Sequence, residues 1–194
     1  MNRKKLLAIA LGVSLAATLG AAQADPLRFY LGGDVVQLTT KIDDLTGVPP
    51  IVTGSAKATT LRLKGGLQLV EWLALEVHMV VPRTETYSTA GATNKVSTSV
   101  FGLFAKPSFN AGALNIYGLV GYAGTTFDFT GVVAGQQSKS DFAYGAGVQY
   151  PFTKNVSGSI EYTQYNKTSL PVGGFAGGLD VNVSAVGVGI AYTF

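Results

Sequence analysis

Bulky apolar and small residues alternate along the last twelve positions of the chain, VSAVGVGIAYTF. The bulky residues share one phase: Val186, Val188, Ile190, Tyr192 and Phe194. The positions between them carry alanine, glycine or threonine. Side chains of a strand point alternately to its two faces, so this period of two predicts a β-strand. One face of that strand is bulky and apolar, and the other is nearly bare.

The same alternation recurs between Asp25 and the end of the chain, where no long segment has a helical period. The predicted strands are about 26–38, 58–69, 72–82, 96–109, 114–129, 140–152, 156–167 and 180–194. Most exceed the roughly five or six residues typical of globular strands. Their lengths suit the ~9–11 tilted residues with which a strand crosses a bilayer.

The predicted connections alternate in length. The longer ones are 39–57, 83–95, 130–139 and 168–179, and the short ones are 70–71, 110–113 and 153–155. A meander has this rhythm when one rim faces the outside of the cell and the other faces the periplasm. The sequence therefore predicts an all-β fold, an eight-stranded antiparallel up-and-down transmembrane β-barrel with both termini at the short-turn rim.

Periodicity alone leaves open whether the apolar face meets lipid or a core. The opposite face is rich in small residues, which suits the cramped interior of a small barrel. Aromatic residues crowd the strand ends, as in the girdles of transmembrane barrels. One predicted girdle holds Phe109, Tyr150, Phe152, Tyr192 and Phe194, and the other holds Tyr87, Phe127, Phe129, Phe142 and Tyr165. We therefore expect the bulky face to meet lipid, including Val188, Ile190, Tyr192 and Phe194 on the last strand.

The fourth and fifth predicted strands carry apolar residues in both phases, and we favour Phe101, Leu103 and Ala105 as outward. A soluble, lipocalin-like binder with its apolar face inward is the alternative. It is disfavoured because only 13% of the residues are charged and the chain begins with an export signal.

The first 24 residues have the pattern of a secretory signal peptide, with Arg3, Lys4 and Lys5 before an apolar run and an Ala-Gln-Ala cleavage site. Removing it leaves residues 25–194 as the barrel domain. The 14 Lys and Arg fall to 11, which equals the 11 Asp and Glu. The mature chain is then neutral, so nothing in its charge favours nucleic-acid binding.

Charged residues lie in the small-residue phase of several strands. They are Arg28, Asp34, Arg62, Lys64, Glu76 and Glu161, with His78 nearby and Lys106 less clearly placed. Unpaired buried charges are costly, so we expect an interior network that includes Arg62, Lys64, Glu76, His78 and Glu161. If residue 68 faces residue 72, Lys64 faces Glu76 and Arg62 faces His78 across the ladder.

No catalytic, metal or cofactor site is predicted. His78 is the only histidine, and no serine lies within two residues of it, whereas the lipid-modifying enzymes of the outer membrane need both. A lone histidine without a carboxylate cluster on its own strand is a poor metal site. The chain has no cysteine, which excludes thiolate chemistry and disulfides. We expect neither an enzyme nor a cofactor.

Three segments resemble a known family. They are FAYGAGVQYPFTKNVSGSIEYTQYN (142–166), LNIYGLVGYAG (114–124) and the terminal GVGIAYTF. The first resembles a strand–turn–strand unit of the small outer-membrane barrels typified by the OmpA membrane domain and OmpX. The resemblance implies an interior ion-pair network that fills the lumen. It also implies that the final phenylalanine and its alternating apolar residues are read by the outer-membrane assembly machinery.

The expected function is that of a monomeric barrel in the outer membrane of a Gram-negative bacterium. It would have a structural or surface-interaction role and present four extracellular loops to an unidentified surface ligand. Its other expected partners are outer-membrane phospholipid, lipopolysaccharide and the assembly machinery. A narrow pore or ion channel gated by the interior charge pairs is the alternative.

Overall fold

A computed structural model of the protein describes residues 27–44, 54–89, 92–130, 135–170 and 179–194. Eight strands account for nearly all of them: β1 (Arg28–Asp44), β2 (Gly54–Val70), β3 (Leu73–Thr89), β4 (Ala92–Ala111), β5 (Leu114–Thr130), β6 (Gly135–Pro151), β7 (Val156–Leu170) and β8 (Leu179–Thr193). Each strand pairs antiparallel with its sequence neighbours, and β8 pairs with β1 to close a barrel. The predicted fold class is confirmed. Among these residues no helix is long and apolar enough to span a membrane.

The two ends of the barrel differ. We call the end with residues 27 and 194 the turn end, because β2–β3, β4–β5 and β6–β7 connect there through short turns. The opposite end is the loop end. Strands run further towards the loop end than predicted: only residues 90–91 separate β3 from β4, where a connection of 83–95 was expected. Thr and Tyr in TETYST favour extended structure, and their polar character had suggested a loop.

An apolar band surrounds the turn-end half of the barrel. Its outward side chains include Leu63, Leu75, Val148 and Ile190, the last of them 62% exposed. Along β8 the band runs from Val186 to Phe194, about nine residues, which at ~3.3 Å per residue and a tilt of ~40° spans roughly 23 Å. That is close to the ~25 Å height of the lipid-facing band of outer-membrane barrels.

Towards the loop end the apolar face reverses. On β1, Val35 is outward in the band, but Val36 and Leu38 are buried in the lumen while Gln37 and Lys41 are exposed. On β8, Val181 and Val183 are likewise buried. A strand that leaves the bilayer enters water, so its apolar side chains turn from lipid to the interior.

This reversal explains why β4 and β5 carry apolar residues in both phases. Phe101 and Leu103 face outward in the band, as expected from the sequence, and Val100 faces inward. On β5, Tyr122 is outward and Phe127 is inward.

Two members of the second predicted aromatic girdle were therefore wrong. Phe127 and Tyr165 are buried inside the barrel at 2% and 0% exposure. Phe142 is exposed at the edge of the band that faces the loop end. The side chains of Tyr87 and Phe129 lie outside the described residues.

The barrel wall divides near the loop end. β2 and β3 pair only from Arg62↔Val80 to Val70↔Leu73, and β6 and β7 only from Tyr144↔Gln164 to Pro151↔Ser157. The other neighbours continue to pair towards the loop end, for example through Thr89↔Ala92. Among the described residues, β7-β8-β1-β2 and β3-β4-β5-β6 thus form two four-stranded sheets beyond the band.

Side chains bridge the two unpaired seams. Across the first seam, Thr60 Oγ1 donates to the Val81 carbonyl at 2.8 Å, and Arg83 Nη1 donates to the Thr59 carbonyl at 2.5 Å. Across the second, the backbone N–H of Lys167 donates to Asp141 Oδ2 at 3.0 Å. Individual side-chain hydrogen bonds therefore join the two sheets at the seams, where no backbone ladder is formed among the described residues.

Candidate functional site

Seven acidic or basic side chains meet inside the band. They come from five strands and are all buried: Asp34, Arg62, Lys64, Glu76, His78, Lys106 and Glu161. Each lies in the inward phase of its strand, opposite the apolar band. The cluster is the candidate functional site, and we call it the interior network.

Glycines on β8 make room for the network. Gly189 pairs with Asp34, and a Cβ at this position would lie only 1.8 Å from Asp34 Oδ1. A Cβ on Gly187 would lie 3.3 Å from Arg62 Nη2 and 2.7 Å from Val36 Cγ1. The small residues on the inward face of the last strand therefore leave the space that the charged side chains occupy.

Arg62 is the centre of one half of the network. Its guanidinium binds Asp34 through Nη2 and through Nε at 2.8 Å. Its Nη1 lies 2.7 Å from Glu161 Oε1 and donates to the Tyr165 hydroxyl at 2.8 Å. Lys64 Nζ lies 3.1 Å from Asp34 Oδ2 and 3.5 Å from Glu161 Oε2. Two cations and two carboxylates thus neutralise one another.

Glu76 is the centre of the other half. Its Oε1 lies 2.7 Å from His78 Nε2, and its Oε2 lies 2.8 Å from Lys106 Nζ and accepts a hydrogen bond from the Tyr30 hydroxyl at 2.5 Å. His78 Nδ1 reaches the Tyr165 hydroxyl at 3.2 Å, which joins the two halves. With His78 neutral, three carboxylates balance three cations.

The predicted ladder partners were wrong by two residues. Lys64 lies opposite His78, and Arg62 lies opposite Val80. The turn uses Glu71 and Trp72, not 70–71, and a register shift follows Gln68. Gln68 Nε2 donates to the carbonyls of Val70 at 2.6 Å and Glu71 at 3.3 Å, and these hydrogen bonds fix the irregular turn.

The structure brings together the five residues named for the network, together with Asp34 and Lys106. Arg28 does not join them, because it begins β1 at the rim and is exposed. Ion pairs link Arg62 to Glu161 and Glu76 to Lys106, which are remote in sequence.

Three tyrosines of the site were missed by sequence reasoning. Tyr30 and Tyr165 are described above, and Tyr117 donates to Glu161 Oε2 at 2.9 Å. Lys106 Nζ also lies 4.1 Å from the centre of the Tyr117 ring, a cation–π distance. A signal was available, since Tyr30 shares the inward phase of Asp34, and Tyr165 that of Glu161.

The site contains one group with metal-ligand chemistry. Glu76, His78 and Glu161 each place a ligand atom within 4.8 Å of the others. Glu76 and His78 share β3, whereas Glu161 comes from β7, which the spacing along the chain does not indicate. Both carboxylates already bind cations of the chain, Lys106 and Arg62, so they are neutralised without a metal.

The residues named for the lipid-facing surface lie outward in the structure. Val188, Ile190, Tyr192 and Phe194 are all exposed on β8 or just after it. Phe109, Tyr150 and Phe152 are exposed near the turn end, where Tyr150 and Phe152 pack with ring centres 5.6 Å apart. The backbone N–H of Phe194 donates to the Phe29 carbonyl at 2.9 Å, so the final residue is fixed to β1.

The apolar exterior and the ion-paired, side-chain-filled interior define a small transmembrane β-barrel. The sequence pattern of one family, described as the outer membrane protein beta-barrel domain, matches residues 7–194. The chain belongs to this family, and it is a protein of the Gram-negative outer membrane. A comparison with the sequences of curated proteins finds no match.

Several solved structures share the fold at low sequence identity. OprG from Pseudomonas aeruginosa has a TM-score of 0.62 at 12% identity, over 86% of this chain and 95% of that one. Neisserial surface protein A has a TM-score of 0.59 at 19% identity, over 86% and 97%. Ail, the attachment invasion locus protein of Yersinia pestis, has a TM-score of 0.57 at 16% identity, over 87% and 99%, in a complex with the heparin analogue sucrose octasulfate. These likenesses concern the fold.

Proposed function

We propose that the protein is a non-conducting outer-membrane barrel with a structural or surface-interaction role, which it performs through its loop end. The observation that carries this proposal is the filling of the lumen. Within the band the interior network fills the barrel together with Phe104 and Leu119, and further buried apolar side chains lie beyond it towards the loop end. No catalytic step is assigned to either layer.

The apolar layer argues against a pore more strongly than the network does. Its members include Val36, Leu38, Val100, Phe127 and Val183, all at most 3% exposed. An ion in an apolar constriction loses its hydration without gaining a partner, which is costly. The salt bridges of the network could exchange partners with a passing ion, whereas the apolar layer has no charged side chain with which an ion could pair.

A surface role agrees with the shape of the loop end. The strands continue beyond the band with polar outward side chains such as Gln37, Thr59 and Ser138. The two sheets therefore raise the ends of the strands above the bilayer, where a partner outside the cell can reach them. Among proteins of this fold, Ail binds a heparin analogue, which makes an anionic surface saccharide one class of ligand to test.

Planar-bilayer recording of the refolded protein tests the proposal. The wild type is expected to show no steady single-channel openings. The Val36→Ala/Phe127→Ala variant thins the apolar layer and is expected to raise ion leakage, whereas Val35→Ala on the lipid face is the matched control. Steady wild-type openings that disappear in Glu76→Ala or Arg62→Ala would instead identify the narrow pore gated by charge pairs.

A further inference from the structure

Three exposed lysines lie on the outer surface of one half of the barrel, beyond the apolar band. Lys167 on β7 pairs with Asn182 on β8, which pairs with Lys41 on β1. On β2, Lys57 pairs with Thr39, two residues before Lys41. The lysines therefore lie on the outward face of β7, β1 and β2, with β8 between the first two. They extend over three strand spacings, or roughly 14 Å. We call Lys41, Lys57 and Lys167 the lysine arc.

The side chains of the lysine arc have no ion-pair partner within the described ranges, unlike Lys64 and Lys106 in the lumen. Asp180 lies in the next outward row of β8 and has contacts of its own. Asp141 of β6 also lies at the edge of this face, where it accepts a hydrogen bond from the backbone N–H of Lys167. Three cations against these two carboxylates leave the described part of this face positive.

The other half of the barrel has a different surface. At the same level, the described outward side chains of β4, β5 and β6 are uncharged except for Asp128, which accepts from Gln136 at 2.8 Å. The upper edge of the band there carries Tyr122 and Phe142, with ring centres 6.0 Å apart. At this level the described outward cations thus lie on β7, β1 and β2, and the aromatic pair lies on β5 and β6.

The height of the lysine arc indicates what it meets. Lys57 lies four residues beyond Leu61, and Lys41 six beyond Val35, where the band ends. At ~3.3 Å per residue and ~40° tilt these are about 10 and 15 Å above the hydrocarbon. The headgroup layer of a phospholipid adds only about 5–8 Å on each side. Phosphates carried on a sugar headgroup extend into the region that these flexible side chains can reach.

We infer that the lysine arc binds the phosphates of a sugar-based lipid in the outer leaflet of the membrane. The lipid lies against β7, β8, β1 and β2, with its acyl chains on the aliphatic part of the band. Lysine provides a compact charge on a flexible stem, which suits a phosphate whose position varies with the lipid. The described outward side chains of β4, β5 and β6 include no cation at this level, so we expect no such preference there.

The test measures binding of bisphosphorylated lipid A to the full barrel in neutral detergent, by counting lipid adducts in native mass spectrometry. The variant is Lys41→Gln/Lys57→Gln/Lys167→Gln, and the control is Lys154→Gln, an exposed lysine in the turn at the opposite rim. We expect the triple variant to bind about a hundredfold more weakly, or about fivefold for each lysine, and the control to bind like the wild type.

Two further arms identify the ligand chemistry. Dephosphorylated lipid A should bind the wild type and the triple variant equally, and raising the salt from about 0.05 to 0.5 M should weaken only the phosphorylated lipid. The salt series needs no variant, so it stands even if the triple variant folds poorly. Unchanged lipid A binding by a folded triple variant overturns the inference. So does a loss confined to soluble sucrose octasulfate, which would identify a soluble polyanion as the ligand.

Discussion

Single residues of the interior network depend on small neighbours as much as on their ionic partners. The carboxylate of Asp34 fits only because Gly189 lacks a side chain, and its Oδ1 is buried without a hydrogen-bond partner among the described atoms. The alternation of bulky and small residues on β8 therefore has two causes. Lipid favours the bulky face, and the charged interior requires the bare one.

Gly189→Ala is expected to lower the free energy of unfolding by about 1–3 kcal/mol, the usual cost of overpacking. Its Cβ would lie 1.8 Å from Asp34 Oδ1 and 2.5 Å from the Gly33 carbonyl oxygen, which cannot move without disturbing the ladder. Urea unfolding in lipid vesicles, followed by the gel mobility of the folded form, measures the change.

Gly33→Ala is the control for this variant. Gly33 is outward on the neighbouring strand, and the nearest atom to its new Cβ would be the Arg62 carbonyl oxygen at 3.9 Å. We expect a change below about 0.5 kcal/mol. Equal stability of the two alanine variants would show that the small face of β8 is not required for space.

At the scale of the strand, a single element passes through two environments, lipid and water. β8 points Val186 and Ile190 at lipid, and a few residues earlier it points Val181 and Val183 into the lumen. The strand pairs continuously with β1 throughout, so the backbone does not change. The environment outside the barrel changes instead, and the apolar phase follows it.

Arginine substitutions along β8 locate this boundary. Ile190→Arg lies within the band and is expected to cost about 2–4 kcal/mol, because the charge would face hydrocarbon. Ser184→Arg has the same outward phase beyond the band and is expected to cost less than about 0.5 kcal/mol. Urea unfolding in vesicles compares them. Similar costs at both positions would place the membrane boundary elsewhere.

The whole molecule has two cross-sections. Within the band it is a closed cylinder filled by the interior network, and beyond the band it is two four-stranded sheets that enclose an apolar layer. Complete closure is required where lipid surrounds the wall, since an unpaired backbone group cannot find water there. Beyond the bilayer, water satisfies exposed edges, and the wall can open into seams.

Hydrogen exchange should reveal the seams. Amides of residues 55–60 on β2 that face β3 are expected to exchange at least tenfold faster than those of residues 181–184 on β8, which is paired on both sides. Residues 62–68 of β2 are the internal control, because β3 covers them. Uniform protection along the whole of β2 would show that the ladder continues beyond Arg62 in solution.

The sequence by itself determined the local features: eight strands, the lipid-facing phase of the band and the inward phase of Arg62, Glu76 and Glu161. A period of two depends only on where successive side chains point, so it is readable from the chain. Tertiary structure alone decided the β2–β3 register, the pairing of Arg62 with Glu161, and the division into two sheets. These depend on how irregular turns and barrel closure align strands that are distant in sequence. The length of the strands could also be read only from the fold. Beyond the membrane the strands carry many polar residues, so their sequence resembles that of loops until the apolar residues that they bury in the lumen are known.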